Sequence, residues 1–176
     1  VDPADLPLPV VLKPVVGFFS VGVYVIASAG DWRAAVADIA ARRDQWRRDY
    51  PERVVGDGRF IVAGYIAGAE YAVDAYFDGD GRAVVLNIMR HDFTSAADVS
   101  DRLYYTSPEI IRSRLAAFTE FLDRAGAILG LRNFPLHAEI RLSDAGIIPI
   151  EFNPLRFPGW CSTGIAWFAH GLRHAD

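Results

Sequence analysis

The sequence predicts an α+β fold with mainly antiparallel sheets. Several short segments alternate apolar and polar residues, turns rich in Gly and Asp join them, and two longer segments carry apolar residues at helical spacing. Of the 176 residues, 52% are hydrophobic and 23% are charged, so the chain can bury a core without disulfides. Strands that follow one another in hairpins favour antiparallel pairing.

The first third of the chain predicts two strands and a helix. Val10–Leu12 and Val21–Ile26 are apolar segments on either side of a Gly/Ser turn over residues 17–20. Asp31 is then expected to cap a helix. Its apolar positions recur at helical spacing among arginines, which are expected to form a solvated face. These positions are Trp32, Val36, Ile39 and Trp46.

The middle of the chain predicts a meander of three strands. They cover Phe60–Ile66, Glu70–Phe77 and Ala83–Met89. The sequence Asp-Gly-Asp-Gly at 78–81 joins the last two, and its glycines suit a tight hairpin turn. Residues 93–106 are polar and have no regular pattern, so we expect them to be irregular.

The last part of the chain predicts a long helix and a hairpin. Ser107-Pro108 supplies an N-cap and a proline at the first helical position, and Gly130 is placed as the C-terminal cap. Between them an apolar stripe recurs every three or four residues. The hairpin strands are Leu136–Leu142 and Ile147–Phe152, joined by an Asp-Ala-Gly turn.

Charge and composition exclude several classes of function. The net charge is −4 and no basic cluster lies among exposed aromatics, which argues against nucleic-acid binding. No apolar run approaches the ~20 residues of a membrane helix. Cys161 is a single cysteine, so the cytoplasm is the expected location. Lys13 is the one lysine among 18 basic residues, which suggests a place where a compact charge is needed.

Two carboxylates are expected to face each other across the last hairpin. Period-two alternation places Glu139 on the polar face of one strand and Glu151 and Asn153 on that of the other. Facing like charges destabilise a strand pair by up to ~1 kcal/mol unless something neutralises them. Two carboxylates and an amide oxygen suit Mg²⁺ that completes its octahedron with water and phosphate oxygens. Alternatively, Arg141 and Arg156 pair with the acids at a solvated edge.

Lys13 and the turn that follows it predict a phosphate site. Glycines at positions 17 and 22 of the turn leave backbone N–H groups open to an anion. Such a nest beside a lysine suits a polyphosphate. The alternative is an ordinary hairpin, because the segment lacks the Gly-Lys-Ser/Thr of a P-loop.

Glu70 is a third candidate site residue. It stands at the head of a predicted strand, after Gly68-Ala69. A carboxylate there can accept hydrogen bonds from ribose hydroxyls. The alternative is a solvated acid at the start of a strand.

These features follow one another in an order that resembles the ATP-grasp superfamily of carboxylate–amine ligases. The segments that carry the resemblance are 9–14 (PVVLKP), 17–22 (GFFSVG), 65–74 (YIAGAEYAVD), 137–139 (HAE) and 150–154 (IEFNP). The resemblance extends from about Pro7 to Gly171. It implies two α+β lobes with mainly antiparallel sheets that sandwich ATP. A partial small lobe would cover residues 1–66, and a large lobe with the metal site would cover residues 67–176.

The resemblance also implies a role for each site residue. ATP would be bound by Lys13, by Gly17 and Ser20 of the glycine-rich loop, by the hinge residues Tyr65 and Ile66, and by Glu70 at the ribose. The Mg²⁺ ligands would be Glu139, Glu151 and Asn153. Arg156, Arg90 and His137 would assist at the transferred phosphate. Because Ala63 and Gly64 stand where the family usually has an acidic residue, adenine recognition is left to backbone groups.

The implied activity is ATP- and Mg²⁺-dependent ligation, in which a carboxylate is activated as an acyl phosphate and then attacked by an amine. Amino acids or peptides are the substrates considered. The chain begins at Val1, so we expect a piece of a longer protein without the family's N-terminal domain. A catalytically silent ATP-binding or interaction module is the alternative. The expected partners are small-molecule carboxylates and amines, without nucleic acid or membrane, and the apolar residues near the C-terminus are compatible with a homo-oligomer.

Overall fold

The computed structural model of the chain describes residues 3–17, 20–93, 103–154 and 162–173. These residues form two compact units. The first contains the described residues up to Tyr65 together with Phe93, and the second runs from Ile66 to Asp92 and from Leu103 onward. Each unit has an antiparallel sheet with one long helix, so the predicted α+β class is confirmed.

The first unit is built on a three-stranded sheet in the order β2-β1-β3. The strands are β1 (Val10–Pro14), β2 (Tyr24–Ile26) and β3 (Phe60–Gly64). A 3-10 turn at Pro3–Asp5 precedes them, and the helices α1 (Ala29–Asp49) and α2 (Glu52–Val55) lie between β2 and β3 in sequence. Val10 and Leu12 are buried with Ala35 of α1. Alternation along β1 therefore turns Lys13 toward the other face of the sheet.

Helix α1 begins three residues earlier than the sequence analysis expects. Its N-cap is Ser28, whose hydroxyl oxygen accepts a hydrogen bond from the Asp31 backbone N–H at 3.2 Å. The Asp31 carboxylate accepts from the Ser28 hydroxyl at 2.9 Å and from the Ala27 N–H at 3.1 Å. The prediction of Asp31 as the cap is therefore wrong, because Asp31 is the third helical residue of a reciprocal capping arrangement.

The second unit contains a five-stranded antiparallel sheet in the order β6-β5-β4-β7-β8. Its strands are β4 (Ala69–Phe77), β5 (Ala83–His91), β6 (Tyr104–Tyr105), β7 (Phe134–Ser143) and β8 (Gly146–Pro154). Its helices are α3 (Pro108–Leu129) and α4 (Ser162–His170). Helix α3 packs on one face of the sheet, where the ring of Phe118 lies 5.3 Å from that of Tyr71.

Both ends of α3 agree with the prediction. The Ser107 side chain accepts from the Ile110 N–H at 3.2 Å, and Gly130 closes the helix with a φ of 66°. The short strand β6 lies within the stretch predicted to be irregular. None of the described helices is both long enough and apolar enough to cross a membrane.

A β-bulge interrupts the pairing of β7 with β8. Ile140 faces Pro149, but Glu139 faces Glu151, so Ile150 is an extra residue in β8. Side chains alternate along a strand, and one extra residue reverses the faces beyond it. The bulge therefore places Glu151 on the face of the sheet that carries Glu139.

Gly126 lies in α3 against the buried ring of Phe77. A Cβ atom at Gly126 would stand 2.2 Å from Cε1 and 2.7 Å from Cδ1 of that ring. We expect Gly126→Ala to lower the free energy of unfolding by about 1–3 kcal/mol through overpacking, although alanine forms helices better by ~1 kcal/mol. Chemical denaturation followed by circular dichroism measures the change.

The matched control for this substitution is Gly30→Ala in the first turn of α1. A Cβ atom there meets only the Ser28 hydroxyl oxygen, at 3.4 Å. This variant should therefore keep or slightly raise the wild-type stability. A Gly126→Ala protein as stable as the Gly30→Ala protein would contradict the expected clash.

Candidate functional site

The sheet face away from α3 in the second unit carries three rows of cross-strand neighbours. Residues directly opposite each other on antiparallel strands share a face. The rows are His91–Glu70–Arg141, Met89–Ala72–Glu139–Glu151 and Asn87–Asp74–His137–Asn153. Among the residues that the structure describes, every buried polar or charged side chain belongs to these rows: Glu70, Asp74, Asn87, His91 and His137. Burying polar groups costs free energy unless they are paired, so this concentration indicates a functional site.

Glu139 and Glu151 are direct cross-strand partners, as the sequence predicts. Asn153 donates a hydrogen bond to Glu151 at 2.5 Å. Within the described part of the chain, neither carboxylate forms an ion pair with a lysine or arginine. Arg141, the alternative counter-ion, is bound to Glu70 instead, so the solvated-edge interpretation fails for this arginine.

The carboxylate pair has the electrostatics of a cation site. Burial raises the pKa of the Glu139 carboxyl above its ordinary value, the attraction of the nearby His137 ring opposes this shift, and the facing Glu151 carboxylate adds to it. A divalent cation would relieve the repulsion and favour both carboxylates in their charged form.

The oxygen atoms of Glu139, Glu151 and Asn153 suit Mg²⁺, which keeps water or phosphate ligands, better than a metal ion that takes all its ligands from the protein. In the described ranges, no group of three or more His, Cys, Asp or Glu side chains is arranged to hold a metal ion. Glu139, Glu151 and Asn153 would supply only part of the oxygen ligands that a metal ion needs. Mg²⁺ commonly binds through one or two carboxylates and keeps water and phosphate oxygens at its other positions.

His137 is buried between two carboxylates. Its Nδ1 lies 2.7 Å from Asp74 Oδ1, and its Nε2 lies 3.7 Å from Glu139 Oε1. Burial alone would lower the pKa of His137, but the hydrogen bond with Asp74 and the attraction of the Asp74 and Glu139 carboxylates raise it to about 9. His137 is thus an imidazolium at neutral pH and a fixed positive charge beside Glu139.

This arrangement predicts a loss of stability in alkaline solution. The pKa of His137 is about 9 in the folded chain, against an ordinary 6.5. The pairing therefore gives its full stabilisation below about pH 6.5 and loses it as the pH rises through about 9. Denaturant unfolding with a chelator at several pH values measures this decline. His137→Gln should flatten the profile, and a wild-type free energy of unfolding that stays constant over this range would refute the pairing.

Glu70 lies within an internal network. Its Oε1 is 3.0 Å from His91 Nδ1, and its Oε2 accepts a hydrogen bond from Arg141 Nε at 2.9 Å. Burial alone would raise the pKa of Glu70, but the hydrogen bonds from His91 and Arg141 outweigh burial and lower it. The Glu70 side chain is only 10% exposed. Both oxygens of the carboxylate that was expected to bind a ribose therefore contact protein side chains.

Arg90 lies on the face of the sheet that carries α3, and its expected contact with the γ-phosphate stays a prediction. It is directly opposite Tyr71, a core residue under α3, and its Nε lies 2.9 Å from Asp92 Oδ1. The alternation that turns Ile88 into the core turns Arg90 to the same side. On β5, His91 is the neighbour that belongs to the polar face.

The expected phosphate and adenine contacts are only partly within the described residues. Lys13 is half-buried near the end of β1 and precedes the turn that contains Gly17. Ser20 has a φ of 54°, a left-handed conformation found in tight turns. Tyr65 donates its N–H to the Pro9 carbonyl at 3.2 Å. Phe18, Phe19 and Arg156 lie outside the described residues.

Sequence reasoning missed Asp74, Asn87 and His91. Asp74 and Asn87 each have apolar residues on both sides in the sequence, and both are fully buried. That pattern is visible in the sequence, because a polar residue at a core-like position needs a partner. His91 is visible only through its pairing with Glu70.

A family model of the ATP-grasp domain matches residues 6–164. This chain belongs to the ATP-grasp family. The match includes both units and the hairpin with Glu139 and Glu151. The predicted membership and the predicted ATP-grasp fold are therefore confirmed. A sequence search of curated proteins finds no significant match.

Solved ATP-grasp structures resemble this chain at low sequence identity. L-amino acid ligase from Bacillus licheniformis has 22% identity and a TM-score of 0.65, with 94% of this chain and 37% of that chain covered. The biotin carboxylase domain of 2-oxoglutarate carboxylase from Hydrogenobacter thermophilus, in complex with MgADP, ADP and bicarbonate, has 14% identity and a TM-score of 0.66, with 96% and 35% covered. Biotin carboxylase from Campylobacter jejuni has 17% identity and a TM-score of 0.64, with 93% and 34% covered. The chain thus spans little more than a third of these proteins, and the similarity shows a shared fold.

Proposed function

We propose that this chain carries the nucleotide- and metal-binding part of an ATP-grasp ligase. The observation that carries the proposal is the facing pair Glu139 and Glu151, which has Asn153 beside it and, in the described residues, no lysine or arginine as counter-ion. Facing carboxylates of this kind are tolerated where a cation binds. The similarity to an L-amino acid ligase and to an MgADP complex supports the same chemistry.

The residues of this chain would act by charge and position. Lys13 supplies a point charge for the phosphates, and the backbone N–H groups near Gly17 and Ser20 supply donors. Glu139 and Glu151 would hold the Mg²⁺ together with Asn153. When bound, Mg²⁺ neutralises charge on the phosphate oxygens that develops during transfer.

The proposed reaction proceeds in two steps and uses no nucleophilic side chain. A carboxylate oxygen of the first substrate attacks the γ-phosphorus of ATP, so that ADP leaves and an acyl phosphate forms. The amine of the second substrate then attacks the acyl carbon, phosphate leaves, and the nitrogen loses a proton. Positioning and electrostatic stabilisation can supply most of such a rate enhancement. Amino acids are the first substrates to test for both positions.

Calorimetric titration of this chain with ATP, with and without Mg²⁺, tests the proposal. We expect binding that depends on Mg²⁺, and phosphate release only when a carboxylate and an amine are both present. Binding without acceptor-dependent phosphate release across a panel of amino acids would replace the ligase with a catalytically silent ATP-binding module. A lack of ATP binding in the presence of Mg²⁺ would overturn both functions.

A further inference from the structure

The segment that leads into β4 is fastened to β7 by a side chain. The Nη1 of Arg141 donates a hydrogen bond to the backbone carbonyl of Ile66. The same guanidinium contacts Glu70 Oε2 through Nε at 2.9 Å and Nη2 at 2.8 Å. One arginine therefore connects Ile66, the first residue of the second unit, to Glu70, the second residue of β4.

The backbone of the same segment approaches β7 closely. A Cβ atom at Gly68 would stand 2.2 Å from the Leu142 carbonyl oxygen, and the φ of Gly68 is +125°. Only glycine adopts this conformation without strain or collision. Two adjacent residues of β7 make these contacts. The Arg141 side chain binds Ile66, and the Leu142 backbone lies against Gly68, so both fix the position of residues 66–68.

The charges of this cluster are balanced internally. Glu70 binds Arg141 through one oxygen and His91 through the other, and the ring of His91 stacks on Tyr104 at a centroid distance of 4.2 Å. The Arg141 side chain is only 16% exposed. A buried fork of this kind has a fixed geometry, because its planar donors match both acceptors at once.

We propose that Arg141 is a positioning residue that fixes the Ile66 backbone for the nucleotide base, with Glu70 as its anchor. The inference rests on the proposed function, since Ile66 is one of the two residues expected to offer backbone groups to adenine. A backbone group recognises a base tightly only when its position is set before binding, because ordering it on binding costs affinity. Glu70 then contributes by holding Arg141.

Arg141→Lys tests the proposal while keeping a positive charge beside Glu70. Lysine lacks the planar fork, so it cannot hold Glu70 and the Ile66 carbonyl together. We expect the Kd for MgATP to rise about tenfold and the amide hydrogens of residues 66–70 to exchange faster by a similar factor. Arg124→Lys is the matched control, because Arg124 lies on α3 in an exposed pair with Glu120 and should leave both measurements unchanged.

Replacing both Arg141 and Glu70 by glutamine distinguishes an effect on the position of Ile66 from an effect on overall stability. Arg141→Gln alone leaves the Glu70 carboxylate buried without its guanidinium, and it should lower the melting temperature. Adding Glu70→Gln removes that charge, so the double variant should recover melting temperature while amide exchange stays fast and the Kd stays high. Recovery of affinity together with melting temperature would show a merely structural role and overturn the proposal.

Failure of this proposal is distinguishable from failure of the proposed function. If the wild-type chain binds no ATP, the function is wrong, and amide exchange at residues 66–70 still shows whether Arg141 fixes the segment. Wild-type exchange rates in Arg141→Lys would overturn the positioning role even in a chain that binds MgATP. Fast exchange with an unchanged Kd for MgATP would overturn it as well.

Discussion

Glu151→Ala is expected to abolish the Mg²⁺-dependent part of ATP binding and to leave the fold intact. Glu151 is one of two carboxylates that face each other across β7 and β8, and it is exposed. Changing residues that merely support a metal ligand typically costs 10–100-fold in affinity, so loss of a ligand should cost about a hundredfold or more. Removing an exposed side chain opposite a like charge should not destabilise the hairpin.

Calorimetry with and without Mg²⁺ measures the loss of ATP binding, and thermal unfolding shows whether the fold is retained. Glu109→Ala is the matched control, because Glu109 is an exposed glutamate of α3 paired only with the exposed Arg112 among the described residues. Glu151→Gln tests charge at nearly constant shape, and it should behave like Glu151→Ala. Wild-type affinity for MgATP in Glu151→Ala would remove the carboxylate pair from the metal site.

Asp74→Ala is expected to lower the free energy of unfolding by about 3–5 kcal/mol, the usual cost of removing one partner from a buried ion pair. Asp74 is fully buried, and its Oδ1 lies 2.7 Å from Nδ1 of His137. Without this carboxylate, His137 must either keep an uncompensated buried charge or lose its proton. Denaturant unfolding near neutral pH gives the difference directly.

Asp144→Ala is the control for this substitution, since Asp144 is exposed in the turn between β7 and β8. It should change the free energy of unfolding by no more than about 0.5 kcal/mol. Combining Asp74→Ala with His137→Leu removes both charges and should recover part of the loss. A loss below about 1 kcal/mol for Asp74→Ala alone would mean that His137 is not charged in the folded chain.

Local sequence patterns predicted the structure correctly where it depends only on residues within the same element. The cap pair Ser107-Pro108 and the final Gly130 predict the ends of α3 because capping depends on the residues at the ends themselves. Alternation predicts the faces of β7 in the same way. The strand β6 has only two residues, and so short an element carries no period that a sequence can show.

Contacts between residues that are far apart in the sequence could not be predicted from the sequence. Arg141 and Glu70 are 71 positions apart, and they meet only because β7 pairs with β4. Without this pairing, the sequence analysis could offer only the nearer acids of its own hairpin as alternative partners for Arg141. The face of Arg90 likewise depends on tertiary packing, since it follows from the core position of Ile88 under α3. Asp31 was misread because both Ser28 and Asp31 are good capping residues and only the backbone shows which one is the N-cap.

Because of the bulge at Ile150, the pairing of the Glu139 and Glu151 carboxylates depends on the number of residues between the turn and Glu151. The turn sets the register as far as Ile140 and Pro149, and one additional residue then brings Glu151 level with Glu139. Many different side chains at position 150 should therefore be tolerated, whereas deleting that position would send the second carboxylate to the side of α3. In related hairpins, the length of the segment between turn and acid should be kept more strictly than the residues that fill it.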